Sequence, residues 1–144
     1  MQPGASKQTA EFRESDRRVR GDAYLGWLCK VVGGWLEADH GNLRAFDHAI
    51  RHMPPQGAVI EVGSFLGAST NALAYLLARY QRDNPLFSCD PWVFEGTEVP
   101  IGGYFDAGSE AFRQYAKDVF KMNVTLLSAS RQPQAIEAPS SEFF

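Results

Sequence analysis

With 144 residues, a formal net charge of -3 and a pI near 5.6, the chain is one domain with room for a real core. Its charge offers no reason to expect a nucleic-acid partner. A hydrophobic share of 44% and a charged share of 22% are those of a soluble globular protein. Cys29 and Cys89 are too few cysteines for a disulfide framework. No apolar run approaches the roughly 20 residues of a membrane span, and the opening M-Q-P-G-A-S-K-Q-T-A lacks the apolar core of a signal peptide. A cytoplasmic protein with free thiols and no membrane association is expected.

Residues 1–22 are polar and mixed in charge, with Arg17, Arg18 and Arg20 beside Glu14, Asp16 and Asp22. They read as a flexible or loosely helical tail. Residues 23–53 read as N-terminal helices. Tyr24, Trp27, Leu28, Val31 and Trp35 recur at three- and four-residue steps, an amphipathic helix interrupted at Gly33-Gly34. Core packing is a simpler account of its tryptophans than a lid over a ligand. Asn42 can cap the next helix, which stops at Pro54-Pro55 and carries Leu43, Phe46, Ile50 and Met53 on one face. His48 and His52, four apart, have a spacing that can hold a metal on a helix. They fall on the opposite face beside Arg44 and Arg51, and no third ligand is visible in the sequence. No metal is therefore expected.

Residues 54–144 hold the chain's main pattern. The apolar, β-branched Ala58–Val62 run passes through Gly63 and Gly67 into an apolar helical pattern that ends near Arg79-Tyr80. That is a buried strand, a tight turn and a helix, the opening of a Rossmann-like α/β unit. Glu61 lies inside the apolar run, and a carboxylate there needs a hydrogen-bonding or cationic partner. A second strand within Pro85–Trp92 puts Asp90 at its carboxyl end. Ligands bind beyond that end in a doubly wound sheet, and an acid there can accept both ribose hydroxyls. The connection over residues 91–108 carries Trp92, Phe94, Tyr104 and Phe105; connections of such length are usually functional. Ser109 can cap a helix with Phe112, Tyr115, Val119 and Phe120 as its buried stripe. Asn123 can end that helix in the left-handed region. Val124–Ser128 then reads as a third strand, and residues 131–144 as a short helix or loop.

The turn itself is not the dinucleotide fingerprint G-x-G-x-x-G; it runs Glu61-x-Gly63-x-x-x-Gly67, with an acid leading. With E-V-G-S-F-L-G-A-S-T-N go G-N-L, C-D-P-W-V-F-E-G and V-T-L-L-S-A-S-R. Together these strings resemble the class I S-adenosylmethionine-dependent methyltransferases, in particular their catechol O-methyltransferase-like branch, over roughly residues 42–136. The resemblance implies an α/β fold, a Rossmann-like three-layer sandwich. It also implies S-adenosyl-L-methionine as cofactor and methyl transfer to a small-molecule acceptor. By position, Glu61, Gly63 and Ser69 would face the methionine end of the donor, with Ser64, Phe65 and Gly67 in the same turn. Asp90 would hold the ribose, Trp92 would line the adenine side, and Ser130 with Arg131 would border the adenine.

A complete core of that family has seven strands. Three are expected here, and the fourth would follow directly after Phe144. The chain is thus expected to be a donor-binding half, apparently truncated after the third strand, with acceptor contacts, general base and any metal ligands elsewhere. Residues 58–62 would then form an unpaired apolar edge, so self-association or a partner supplying the missing strands is expected. Methyl transfer by these residues alone is not. The alternative reading is a non-catalytic nucleoside-binding or interaction module that retains a Rossmann-like half. A dinucleotide-dependent oxidoreductase fits less well, because the third glycine is missing.

Overall fold

The computed structural model describes residues 3–34, 36, 41–94 and 108–143; Trp35, Tyr104 and Phe105 lie outside them. The described residues form a mixed α/β fold with six helices and a three-stranded parallel sheet.

Of the two forms expected for residues 1–22, flexible or loosely helical, the structure has helix α1 (Pro3–Arg20). Ion pairs four residues apart, Glu14 with Arg18 and Asp16 with Arg20, run along it and favour the helix modestly. Ser15 and Val19 are buried on its inner side. The mixed charge that reads as solvation is thus one face of an amphipathic helix. Helix α2 (Ala23–Val31) is capped by Asp22, whose Oδ1 accepts the N–H groups of Tyr24 and Leu25 at 2.9 and 3.0 Å. The other oxygen of Asp22 accepts from Tyr75 at 2.8 Å and pairs with Arg79. The helix ends just before Gly33-Gly34, but its buried face is Leu25 and Leu28, not the aromatic stripe. Trp27 and Val31 are largely exposed.

Helix α3 (Asn42–His52) packs on α1. Its cap is Gly41 in the left-handed region at φ 95°. Asn42 is the first helical residue, and its Oδ1 accepts the Leu43 N–H at 3.1 Å. Leu43 and Ile50 are buried, with Phe46 and Met53 packed beside them, so the expected apolar face of α3 is the one used.

Strand β1 (Val59–Val62) leads through the glycine turn into α4 (Ala68–Arg79) and then β2 (Leu86–Cys89). β1 and β2 are parallel, with Glu61 beside Ser88 and Val62 beside Cys89. Helix α5 (Glu110–Leu127) is capped by Ser109, whose hydroxyl accepts the Phe112 N–H at 3.2 Å. Here the structure corrects the sequence reading: α5 runs through Asn123 and the residues expected to form the third strand. Ala116, Phe120 and Val124 recur at four-residue steps and close a core with Trp92 and Leu66, which holds Val124–Leu127 in the helix against their β-propensity. Asn123 stays helical and donates to the Leu66 carbonyl at 2.9 Å. Tyr115, expected in the buried stripe, is exposed. The third strand is β3 (Gln134–Ile136), parallel to β2 with Phe87 beside Gln134 and Cys89 beside Ile136. A single turn, α6 (Ser140–Phe143), follows.

The sheet order is β1-β2-β3. Helix α4 packs on β2 and touches α2, α3 and α5, so these helices gather over one face of the sheet. Leu25, Leu28, Leu43, Leu76, Leu77 and Leu86 fill the core between them, each buried leucine contributing about 1.5–3 kcal/mol. On β1, Ile60 and Val62 point away from this core and are 40% and 56% exposed. Among the described residues β1 is an edge strand; on the face that carries Ile60 and Val62, Cys89 of β2 is buried and reaches the Ala138 carbonyl, so the exposure is confined to β1. No helix among the described residues is long and apolar enough to cross a membrane.

Candidate functional site

The site is built where β1 ends. Gly63 leaves the strand at φ 83° and donates its N–H to the Cys89 carbonyl at 2.9 Å, holding the turn to the end of β2. Gly67 closes the turn at φ 90°, donating to the Ser64 carbonyl at 2.8 Å. Between them Phe65 also sits in the left-handed region, at φ 46°. Glycine adopts such angles freely, whereas phenylalanine adopts them only when neighbours over-determine the backbone.

Asp90 is the main such neighbour. Its Oδ2 accepts the N–H groups of Ser64 and Phe65 at 2.7 and 2.8 Å, and its Oδ1 accepts the Trp92 N–H at 2.6 Å. Trp92, itself at φ 47°, returns its indole N–H to the Phe65 carbonyl at 2.9 Å. Its ring is buried edge-on against Phe120. Asp90 and Trp92 therefore clamp the turn from the second strand. Trp92, expected to line a ligand, is part of the core that α5 closes.

Glu61 is satisfied from three sides. Its two carboxylate oxygens accept the hydroxyls of Ser69, Thr70 and, at 2.9 Å, Ser88. Thr70 and Ser88 were not singled out in the sequence, although the parallel register places Ser88 next to Glu61. A second polar chain, also missed, ties α4 to α5. The Asn71 side chain donates to the Gly67 carbonyl at 2.7 Å and accepts the Ser128 hydroxyl at 2.5 Å.

Two openings adjoin this turn. A cavity of about 220 Å³ is lined by Gly33, Gly34, Asn42, Ser64, Phe65 and Ser69, among others. A larger one of about 490 Å³ runs along β1 between Phe46, Ile50, Met53 and Leu73, and shares Gly63 and Ser69 with the first. Three features of the smaller cavity suit a polar ligand. A Cβ on Gly63 would meet nothing within 4 Å. The Ser64 hydroxyl is buried without a hydrogen-bond partner. Helix α4 begins there with Gly67 as cap and no side-chain cap bond, so its first N–H groups lack intrahelical acceptors and favour an anion.

The structure thus brings Glu61, Gly63, Ser64, Phe65, Gly67, Ser69, Asp90 and Trp92 together. It does not bring Ser130 and Arg131 to them. Ser130 is exposed, and the Arg131 guanidinium reaches the Asn84 carbonyl at 3.5 Å and Asp83 at 3.4 Å, both just ahead of β2. That is the amino end of the sheet, opposite the glycine turn. Their displacement follows from Val124–Ser128 not being a strand. The segment that does leave β3 at the carboxyl end is Glu137-Ala138. Asp90 donates its N–H to the Ile136 carbonyl at 3.0 Å, and the Cys89 thiol reaches the Ala138 carbonyl at 3.1 Å. Glu137 pairs with Lys117 at 2.6 Å and Arg113 at 2.9 Å; the Lys117 hydrogen bond leads in holding its carboxyl below the usual range. Nothing but a three-residue strand, Q-A-I, marks this place in the sequence.

The chain matches no protein-family model, no curated protein and no solved structure.

Proposed function

We propose that this chain binds S-adenosyl-L-methionine and carries the donor side of a small-molecule methyltransferase with a Rossmann-like core. The observation that carries the reading is the glycine turn at the carboxyl end of a parallel sheet. Gly63, Ser64 and Ser69 line one cavity beside it, with open space where a Cβ on Gly63 would stand and an α4 N-terminus that has no side-chain cap. The donor's carboxylate lies at the N-terminus of α4 and its amino-acid end accepts from Ser64. Glu61 acts through Ser69, holding that hydroxyl in place. Asp90 has three of roughly four acceptor positions engaged, so it takes one ribose hydroxyl and not two; its larger part is to shape the turn. The sulfonium makes the methyl group electrophilic, and in-line positioning of acceptor and donor supplies much of the rate. The acceptor side belongs beside the open edge of β1.

Engagement of each acid by three internal bonds favours a second reading, a non-catalytic nucleoside-binding module. Calorimetric titration tests what the two share. S-adenosylmethionine and S-adenosylhomocysteine should bind saturably and NAD should not. Ser64→Ala, which removes an unpartnered hydroxyl, should weaken donor binding up to about tenfold while leaving the unfolding midpoint unchanged. Binding of NAD with no response to either adenosyl ligand would overturn the methyltransferase reading. Sedimentation and methyl-transfer assays on the same sample separate them, since only the first couples assembly through β1 to turnover.

A further inference from the structure

The α1–α3 seam brings together three side chains that the sequence keeps apart. Glu11 of α1 and His48 and His52 of α3 each offer one ligand atom, and all three atoms lie within 4.8 Å of one another. The two imidazole rings stand 4.6 Å apart, one helical turn along α3. Phe12 stacks on the His48 ring at 4.5 Å and fixes its plane. The Nδ1 of His48 is buried with no hydrogen-bond partner. The seam on either side is ordered by other contacts. Arg51 bridges to Glu14 and Ser15 one turn along α1, and the Arg44 guanidinium lies 5.7 Å over the Phe12 ring.

We propose that Glu11, His48 and His52 form a zinc site that clips α1 to α3. Two imidazoles and one carboxylate are a donor set for zinc and its neighbours among the first-row divalent ions, and not for magnesium or calcium, which take oxygen ligands. Ligand atoms around tetrahedral zinc stand about 3.4 Å apart, given metal–ligand bonds of about 2.0–2.2 Å. Binding would draw the three ligand atoms in to that size, and exposed His52 and half-buried Glu11 are the side chains placed to move. Three protein ligands leave a fourth position for water or an outside group. The ordinary alternative is an imidazole pair beside a solvated carboxylate. It gives no reason for one atom of each of these three side chains to converge within 4.8 Å across two helices. The sequence lacked the third ligand because it comes from a segment that reads as a tail.

The experiment is zinc titration of chelator-treated full chain, in competition with a chromophoric chelator, with cobalt as a spectroscopic substitute. One zinc per chain should bind, and His52→Ala and Glu11→Gln should each weaken it tenfold or more. His40→Ala, at the remaining histidine, should not change it. His52 is exposed, so its alanine variant keeps the fold, which circular dichroism confirms. Bound zinc should slow proteolytic cleavage within α1 in the wild type and not in His52→Ala. No saturable binding, or equal binding in wild type and His52→Ala, overturns the site. An unchanged affinity in Glu11→Gln overturns the bridge between helices. A thiolate charge-transfer band in the cobalt spectrum places the metal on cysteine and overturns it as well.

Discussion

At the glycine turn Asp90 accepts three backbone N–H groups and Glu61 accepts three hydroxyls. In the seam around α3, by contrast, the Arg44 Nε, the Asp47 Oδ2 and the His48 Nδ1 are buried with no hydrogen-bond partner. Both regions gather charged groups at the join of two elements. A saturated network specifies one backbone shape, here a turn with Phe65 and Trp92 at positive φ. A partly satisfied one has capacity left over, either for a ligand or for repacking. The turn is thus a rigid frame, with the Ser64 hydroxyl buried in it without a hydrogen-bond partner. The seam is where binding something could add most to stability.

The sharpest way to break the comparison is Asp90→Ala. It leaves the N–H groups of Ser64, Phe65 and Trp92 without their acceptor at a buried site. The expected loss is about 3–5 kcal/mol, read as a fall in the denaturant midpoint. A loss below about 1 kcal/mol would mean that the turn holds its shape without the carboxylate, and that Asp90 is free to serve a ligand alone.

Next in size is the contrast between the two glycines. Gly67→Ala places a Cβ in the left-handed region at φ 90° and 3.2 Å from the Phe120 ring, with Asn71 and Val124 close behind. It should cost about 2–3 kcal/mol. Gly63→Ala, at φ 83° but facing open space, should carry only the backbone penalty of about 1–2 kcal/mol. Unfolding curves for the two variants give the difference directly. Equal losses would show that α5 does not press on the turn as closely as Phe120 and Val124 indicate.

What could be read from the sequence was local. Strand, glycines and helix follow one another within Ala58–Tyr80, and Ser109 caps the helix that starts beside it, so neighbouring residues suffice to place them. Val124–Ser128 was misplaced because its helical state depends on Val124 meeting Trp92 and Leu66, far off in the chain. With it went the placement of Ser130 and Arg131. Asp90 was found as a residue at a strand end, but its partners Ser64 and Phe65 lie 26 and 25 residues back, and nothing in the string says that a carboxylate will face its own backbone before it faces a ligand. The acid that completes the histidine pair was hidden for a similar reason. Charge alternation along residues 1–22 looks the same in a solvated segment and on the outer face of a packed helix, and only Ser15 and Val19 on the inner side distinguish them.

The smallest effect tests the seam through Tyr80, which joins α4 to α3 by donating its hydroxyl to buried Asp47. Burial first, and then the bond to Asp47, push its pKa from 10.0 up to about 12. Tyrosine is charged when deprotonated, so a raised pKa means that the fold favours the neutral ring. That contribution is complete below about pH 10, the unfolded value. It declines as pH rises and is gone above about pH 12. Because the ring is only partly buried and Arg79 lies 5.8 Å from its centre, solvent and a neighbouring cation temper the effect, and about 1 kcal/mol is expected. Tyr80→Phe has no hydroxyl to titrate. The stability gap between wild type and Tyr80→Phe should therefore be constant from pH 7 to 9 and narrow between pH 10 and 12. Denaturant midpoints measured in parallel across that range read the gap while other titrating groups cancel. A gap that stays level would show that the hydroxyl does not donate to Asp47, which would leave both Asp47 oxygens unsatisfied by hydrogen bonds and make the seam more open than the turn by a wider margin still.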